Sequence, residues 1–462
     1  MKKSTLIGSR IFYRRTFTVM APILIQNVIT NFVNLLDNLM VGQVGTEPMS
    51  GVAIVNQLIF IYNLCLFGAL AGPGIFTAQY HGRGDTEGVR ETFRAKWIIS
   101  LLIAAVFCAA YLGWGRQLIS LFLHEGEETL DLGATLRYGE EYLRVILLQA
   151  LPFAVVQVYA GTLRETGETV LPMKAGIAAV FVNLVFNYLL IFGKLGLPAL
   201  GVVGAAVATV IARVVECAIV VLWTYRHRER APFAVGALRS FRVAPALARQ
   251  MAVMGTPLLL NELLWSSGMT MLNQCYSLRG LEVVSANNIS GTVNSLFLCV
   301  SIAMGSTVAI LVGQTLGAGE LERAVDEDRK LLALAVAIGV AVGAVMALVA
   351  PLVPRYYNTT AAVKMLATRF LVVNSLMMPL VAFTNAAYFT LRCGGKTIIT
   401  FLFDSAFVWG VCVPVAFVLS RYTAMPILPL FIAVQALELI KCAVGFFLVR
   451  SRKWVNNLVA NI

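Results

Sequence analysis

The chain has 462 residues, 59% hydrophobic and 13% charged, with a mean hydropathy of +0.80 and a formal net charge of +12. Soluble domains run at about 45–50% apolar and about 25% charged, so this balance excludes an ordinary soluble enzyme and a disordered or collagen-like chain. A spanning helix needs about 20 apolar residues, so twelve of them would use roughly 240 residues and leave short loops.

In chain order, apolar runs occupy 17–41, 52–77, 95–115, 137–162, 170–192, 199–224, 251–278, 285–314, 328–350, 367–391, 396–420 and 424–449. They are too long for strands and lack the alternation of a membrane barrel, so they read as helices. The first run has no small-residue cleavage site and reads as a retained helix. Twelve spans put both termini on one side. That side collects 25 of the 36 Lys and Arg residues, including Arg10, Arg14, Arg15, Arg83, Arg90 and the linker arginines from Arg226 to Arg249. Basic loops mark the cytoplasmic face, so both ends are expected there. The loop at 125–131 on the opposite side is acidic. The positive charge is therefore a topology signal, not a nucleic-acid surface. The eight Cys include no C-x-x-C pair, and the three His fall in loops without metal-ligand spacing. No nucleophile or phosphate-binding motif appears, and the chain reads as a non-enzyme without a cofactor.

The chain repeats itself. A shift of 235 residues aligns Pro22 with Pro257, Gly45 with Gly280, Gln79 with Gln314, Gly82 with Gly317 and Gly84 with Gly319. Further on, a shift of 228 aligns Thr162 with Thr390, Arg164 with Arg392 and Gly167 with Gly395. Six spans per copy give both copies the same orientation. The expected fold is an all-α polytopic membrane protein, with twelve transmembrane helices in two six-helix lobes related by a pseudo-twofold axis along the membrane normal. The expected boundaries are 1–224 for the N-terminal lobe, 225–249 for a cytoplasmic linker and 250–462 for the C-terminal lobe. Two facing lobes are a transporter plan in which access alternates as the lobes rock. The Gly82-x-Gly84 and Gly317-x-Gly319 pairs read as helix C-caps.

A charge inside the bilayer costs about 2.5–3.5 kcal/mol on insertion scales, so each one needs a reason. Asp37 falls in the outer half of helix 1. Asn183 and Asn187 share one face of helix 5 at i, i+4, and Thr209 lies about ten residues into helix 6. One carboxylate, two carboxamides and a hydroxyl at one depth suit a monovalent cation such as Na⁺, or a proton on the carboxylate. Asn27, Thr30, Asn31 and Asn34 form a polar stripe leading to Asp37, which reads as a cavity lining. Under the 235 shift Asn27 becomes Glu262, with Trp265, Ser266, Thr270 and Asn273 nearby; a carboxylate beside an aromatic suits an organic cation. Arg213 with Glu216, and Glu438 with Lys441, sit at i, i+3 and read as intrahelical charge pairs. Asp404 is expected to reach the interface or to pair with a basic residue.

The combination of two six-helix copies, the Pro22–Gly45 segment with Asp37, Gln79-x-x-Gly82-x-Gly84 and its second copy, Arg164-x-x-Gly167, Arg392-x-x-Gly395 and Gly201-x-x-Gly204-Ala-Ala-x-Ala-Thr209 resembles the multidrug and toxic-compound extrusion family. The resemblance implies a monomeric, multi-pass inner-membrane antiporter. It would export amphipathic, often cationic organic compounds in exchange for H⁺ or Na⁺. It also implies a cation site at Asp37, Asn183, Asn187 and Thr209. Some members carry an aspartate at the position of Asn187 and this chain does not, which leaves the ion open. A carboxylate on helix 7 matters in some members, and Glu262 falls a few residues from that place. The alternative is a lipid-linked saccharide flippase of the same superfamily, which would need a strongly cationic cavity for pyrophosphate.

Overall fold

The computed structural model describes residues 6–122 and 131–460; the side chains of Asn34, Leu35, Asn38 and Leu39 lie outside the described residues. The expected acidic loop therefore lies mostly outside them as well. Among the described residues every regular element is helical. Twelve long helices follow in order: α1 (Arg10–Gly42), α2 (Thr46–Arg83), α3 (Thr86–Ser120), α4 (Leu132–Glu165), α5 (Val170–Phe192), α6 (Gly201–Arg226), α7 (Pro245–Ser277), α8 (Leu281–Gly317), α9 (Leu321–Val349), α10 (Ala361–Cys393), α11 (Thr397–Tyr422) and α12 (Ile427–Arg450). Eleven of them are long and apolar enough to cross a membrane by length and composition. The exception is α7, where Asn261, Glu262, Ser266, Ser267, Thr270 and Asn273 dilute the apolar run.

Several helices outrun the apolar stretches that mark them in the sequence. Both α3 and α9 begin about two turns early, immediately after a cap. In each case a glycine stops the preceding helix: Gly84 has φ +78° and Gly319 φ +79°. Asp85 N–H then donates to Tyr80 O at 3.0 Å, and Glu320 N–H to Thr315 O at 3.3 Å. Gly167 (φ +93°) and Gly395 (φ +77°) end α4 and α10 in the same way, the left-handed C′ geometry that glycine alone adopts without strain. Two helices are irregular inside. In α4 a 3₁₀ turn at Leu147–Gln149 precedes Pro152. In α11, π turns at Leu402–Ala406 and Val408–Cys412 precede Pro414, which lacks the N–H that would continue the ladder.

The helices group into two compact units. One comprises Ile25–Thr77 and Thr86–Ala248. Its core includes Val55, Leu66, Ile119, Ile146, Ala154 and Ala206. Small residues let its backbones touch: a Cβ on Gly204 of α6 would lie 2.6 Å from Leu190 O of α5, and one on Gly51 of α2 would lie 2.7 Å from Thr135 O of α4. Without a hydrophobic driving force between helices in lipid, such close approach supplies the packing. The basic segment after α6 is held against α3: Phe233 is buried beside Phe93, and Arg94 Nε donates to Ala237 O at 2.9 Å.

The other unit comprises Met1–Leu24, Ala78–Asp85 and Arg249–Ile462. Met20 and Ile23 of α1 share a core with Met304, Val308, Leu311, Ala386 and Phe389. The repeated glutamine–glycine motifs meet here. A Cβ on Gly82 would lie 1.9 Å from Gln314 O, and a Cβ on Gly317 would lie 1.9 Å from Gln79 O. Each copy of the motif thus packs its glycine on the backbone of the other copy's glutamine. The segment after α12 covers this crossing. Gln79 Nε2 donates to Cys393 O at 3.0 Å and Asn456 O at 3.2 Å, and its Oε1 accepts from Leu458 N–H at 2.7 Å. Trp454 is 1% exposed, with its carbonyl against Gly394.

Forcing extra atoms into a closed contact costs about 1–3 kcal/mol. Gly317→Ala should therefore lower the melting temperature in detergent by about 1–3 °C, whereas Gly291→Ala, on the same helix with open space around it, should not lower it.

Candidate functional site

Three helices of the first unit converge on one carboxylate. Asp37 is half-buried on α1, while Asn183 and Asn187 are 6% and 1% exposed on α5. Asn187 Nδ2 donates to Asp37 Oδ1 at 2.6 Å and to Asn183 Oδ1 at 3.1 Å. Asn183 Nδ2 donates to Thr209 Oγ1 at 3.2 Å, whose own hydroxyl proton goes to Ala205 O at 3.0 Å. Turning the Asn183 amide over places its nitrogen 2.9 Å from Asp37 Oδ1 and its oxygen 3.2 Å from Thr209 Oγ1. That orientation satisfies both ends of the amide and gives Asp37 two carboxamide donors. The four residues expected to meet at one depth do meet.

The nest has one unsatisfied member. Asn187 Oδ1 is buried and has no hydrogen-bond partner. A buried acceptor left bare costs about 1–3 kcal/mol. An orphan carbonyl oxygen beside a carboxylate, an amide and a hydroxyl is a donor set that fits Na⁺ or a proton-bearing group. Two neighbours were not legible in the sequence. Tyr142 of α4 lies within range of the Asp37 charge, and its hydroxyl donates to Asn56 Oδ1 of α2 at 3.2 Å. Arg213, one turn along α6 from Thr209, also lies within electrostatic range of Asp37. A polar residue isolated in an apolar run, such as Asn56, was the available signal.

Of the stripe expected to line a cavity, Asn27 and Asn31 are half-buried, and Asn31 Nδ2 bonds Asn27 O at 3.0 Å. Asn34 lies outside the described residues. In the second unit Glu262 accepts from Tyr388 OH at 3.3 Å; Trp265 is 37% exposed and Ser266 half-buried. Glu262 thus bonds a tyrosine of α10, with Trp265 one turn along α7. Next to Glu262, the 1%-exposed Asn261 donates to Asp404 Oδ2 at 3.0 Å and accepts from Ser405 Oγ at 2.8 Å. Lys441 Nζ of α12 reaches Asp404 Oδ1 at 2.7 Å. Asp404 sits in the first π turn of α11.

One expected pairing is corrected. Arg213 does bond Glu216 within α6, at 2.7 Å, but Glu438 and Lys441 do not pair with each other. Lys441 binds Asp404 of α11, and Glu438 accepts from Thr384 Oγ1 of α10 at 2.5 Å. Helical spacing leaves the two charges within electrostatic range, yet the neighbouring helices supply the direct contacts, a carboxylate for Lys441 and a hydroxyl for Glu438. Among the described residues no cluster of three His, Cys, Asp or Glu side chains could hold a metal, and all eight Cys are free.

An all-helical, multi-spanning chain with charged side chains held inside its helix bundles has the build of a membrane transporter. A MatE family model matches residues 22–189 and 257–418, and the chain belongs to that family. It is a transporter, not an enzyme. It is similar to a probable multidrug resistance protein NorM of Thermotoga maritima, with 26% identity over 95% of this chain and 92% of that one. A solved multidrug resistance MATE family transporter in an outward-facing conformation shares the fold, with a TM-score of 0.86 and 22% identity over 98% of each chain. A Vibrio cholerae MATE transporter does so with a TM-score of 0.84 and 19% identity, over 96% of this chain and 98% of that one.

Removing one partner of a buried ion pair costs about 3–5 kcal/mol, because the other charge is left uncompensated. Lys441→Ala should lower the melting temperature sharply, and the double variant Asp404→Leu/Lys441→Met should recover most of the loss in the same assay.

Proposed function

We propose that the protein is a secondary antiporter exporting amphipathic, often cationic organic compounds in exchange for an inward-moving H⁺ or Na⁺. The observation that carries this reading is the Asp37 nest, a carboxylate joined to Asn183, Asn187 and Thr209 with one buried oxygen unpaired. The monovalent cation is transported cargo. Asp37 supplies the charge that holds it, and Asn183, Asn187 and Thr209 supply neutral oxygens. Exchange requires that ion and drug favour different states of the protein. Occupation of the nest draws α1 toward α5 and α6, and access to the two faces alternates as the lobes rock. The lobes correspond to 1–224 and 250–462, joined by 225–249. Within the first unit Asn27 and Asn31, and within the second Glu262, Trp265 and Ser266, are the groups assigned to the organic substrate; the side chain of Asn34 lies outside the described residues. The protein works as a monomer in the inner membrane with both termini cytoplasmic.

The flippase reading is disfavoured by the same charges. Arg213 has Glu216 beside it and Lys441 has Asp404, so each of these charges is balanced locally and the pair does not make a strongly cationic cavity for pyrophosphate.

Transport in proteoliposomes with pH and Na⁺ gradients imposed separately tests the reading. One gradient should drive drug uptake into inverted vesicles, and Asp37→Asn should reduce that uptake at least about tenfold, the effect of losing a charged contact of about 1.5 kcal/mol or more. Wild-type transport by Asp37→Asn under every gradient would overturn the assignment.

A further inference from the structure

The charges of the first unit form a row that continues from the proposed cation site. Arg213 lies on the face of α6 that carries Thr209 and Glu216, at i+4 and i+7 from Thr209. Its Nη1 bonds Glu216 Oε2 at 2.7 Å, and its guanidinium lies 5.1 Å from the centre of the Phe153 ring. The Arg213 side chain is 30% exposed, whereas that of Glu216 is 5%. The arginine therefore has room to move and the glutamate does not. Beyond Glu216 comes Arg164 of α4. Its Nη2 donates to Gln26 Oε1 at 2.8 Å, while its buried Nε has no partner. Arg164 lies within electrostatic range of both Glu216 and Glu165. Glu165 in turn is bound by the fully buried Lys96, which also donates to Thr162 Oγ1 at 3.1 Å. Three carboxylates, Asp37, Glu216 and Glu165, alternate with three cations, Arg213, Arg164 and Lys96. Among the described residues, Tyr142 of α4 also lies within electrostatic range of Asp37.

We propose that Arg213 is a tethered counter-ion that exchanges Glu216 for Asp37 when the transported cation leaves, with the unbonded Nε of Arg164 taking over Glu216. With its cation gone, Asp37 would otherwise keep a negative charge held only by the neutral amides of Asn187 and Asn183. The guanidinium removes that penalty by moving about one helical turn. The row is neutral without the transported ion and carries one positive charge with it, so Arg213 favours release. The inference rests on the cation-site reading of Asp37, and it adds the residue that empties the site.

The test measures cation binding by thermal stabilisation of the detergent-solubilised full-length protein against Na⁺ and, separately, pH, alongside drug transport. Replacing Arg213 removes a positive charge one turn along α6 from Thr209, and two unit charges about 10 Å apart at an effective dielectric near 20 change affinity on the order of tenfold. Arg213→Gln should therefore shift half-maximal stabilisation to about tenfold lower cation while slowing transport at saturating drug. Arg213→Lys should stay near wild type. Because Arg213→Gln also removes the bond that holds Glu216 within α6, the double variant Arg213→Gln/Glu216→Gln repeats the measurement with that pair removed as a unit. An unshifted cation dependence in the double variant would overturn the relay, and a merely structural Arg213 predicts that result. Asp37→Asn separates the two readings. If it abolishes cation stabilisation while the double variant is unshifted, the relay alone falls; if it leaves stabilisation intact, both fall.

Discussion

The bond from Asn187 Nδ2 to Asp37 Oδ1 joins α1 to α5 at the single carboxylate of α1. A lone charge there is costly, so everything around it is arranged by that cost. The i, i+4 spacing aims two amides at the carboxylate. Gly204 lets α6 approach α5 closely enough for Thr209 to reach Asn183. The packing of small residues and the chemistry of the nest are therefore one constraint. Without the close approach of α6 the hydroxyl could not reach its amide, and without the amides the carboxylate could not stay.

The second half of the chain keeps the scaffold and changes the charges. Under the repeat offsets, Gln26, Arg164, Gly176 and Arg213 correspond to Asn261, Arg392, Asp404 and Lys441. In the first half Gly176 leaves room for the long Gln26 amide, 3.0 Å from where its Cβ would be, and Arg164 secures that amide. In the second half the shorter Asn261 leaves space that the Asp404 side chain fills, and Lys441 neutralises it. The π turns of α11 fall at this substitution. The counterpart of Asp37 is Leu272, a core residue. One duplicated frame thus holds a polar nest with a spare acceptor in one copy and a closed ion pair in the other.

Much of this was legible in the sequence because it follows from count and period. Run lengths gave twelve helices, and helix direction placed Asp37, Asn187 and Thr209 at one depth. What spacing along one helix could not show was competition from the next helix. Glu438 and Lys441 are equally well placed to bond each other or not, and only Asp404 and Thr384 decide it. Tyr142 escaped notice for a related reason. Its hydroxyl matters through Asn56 on another helix, and nothing in either local sequence records the meeting. Gly84 and Gly319 are the caps that the two motifs predict; the glycine two positions earlier in each serves the crossing instead.

That crossing ties the history of the two halves together. After a duplication, two copies of a segment are ordinarily free to drift apart, as the divergence of Asp37 and Leu272 illustrates. At the Gln79–Gly82 and Gln314–Gly317 motifs each copy is the other's surface, so a bulky change in one is opposed by the backbone of the other. The duplicated motifs are locked into shared ancestry by contact, and they would be the last places at which the repeat faded from view.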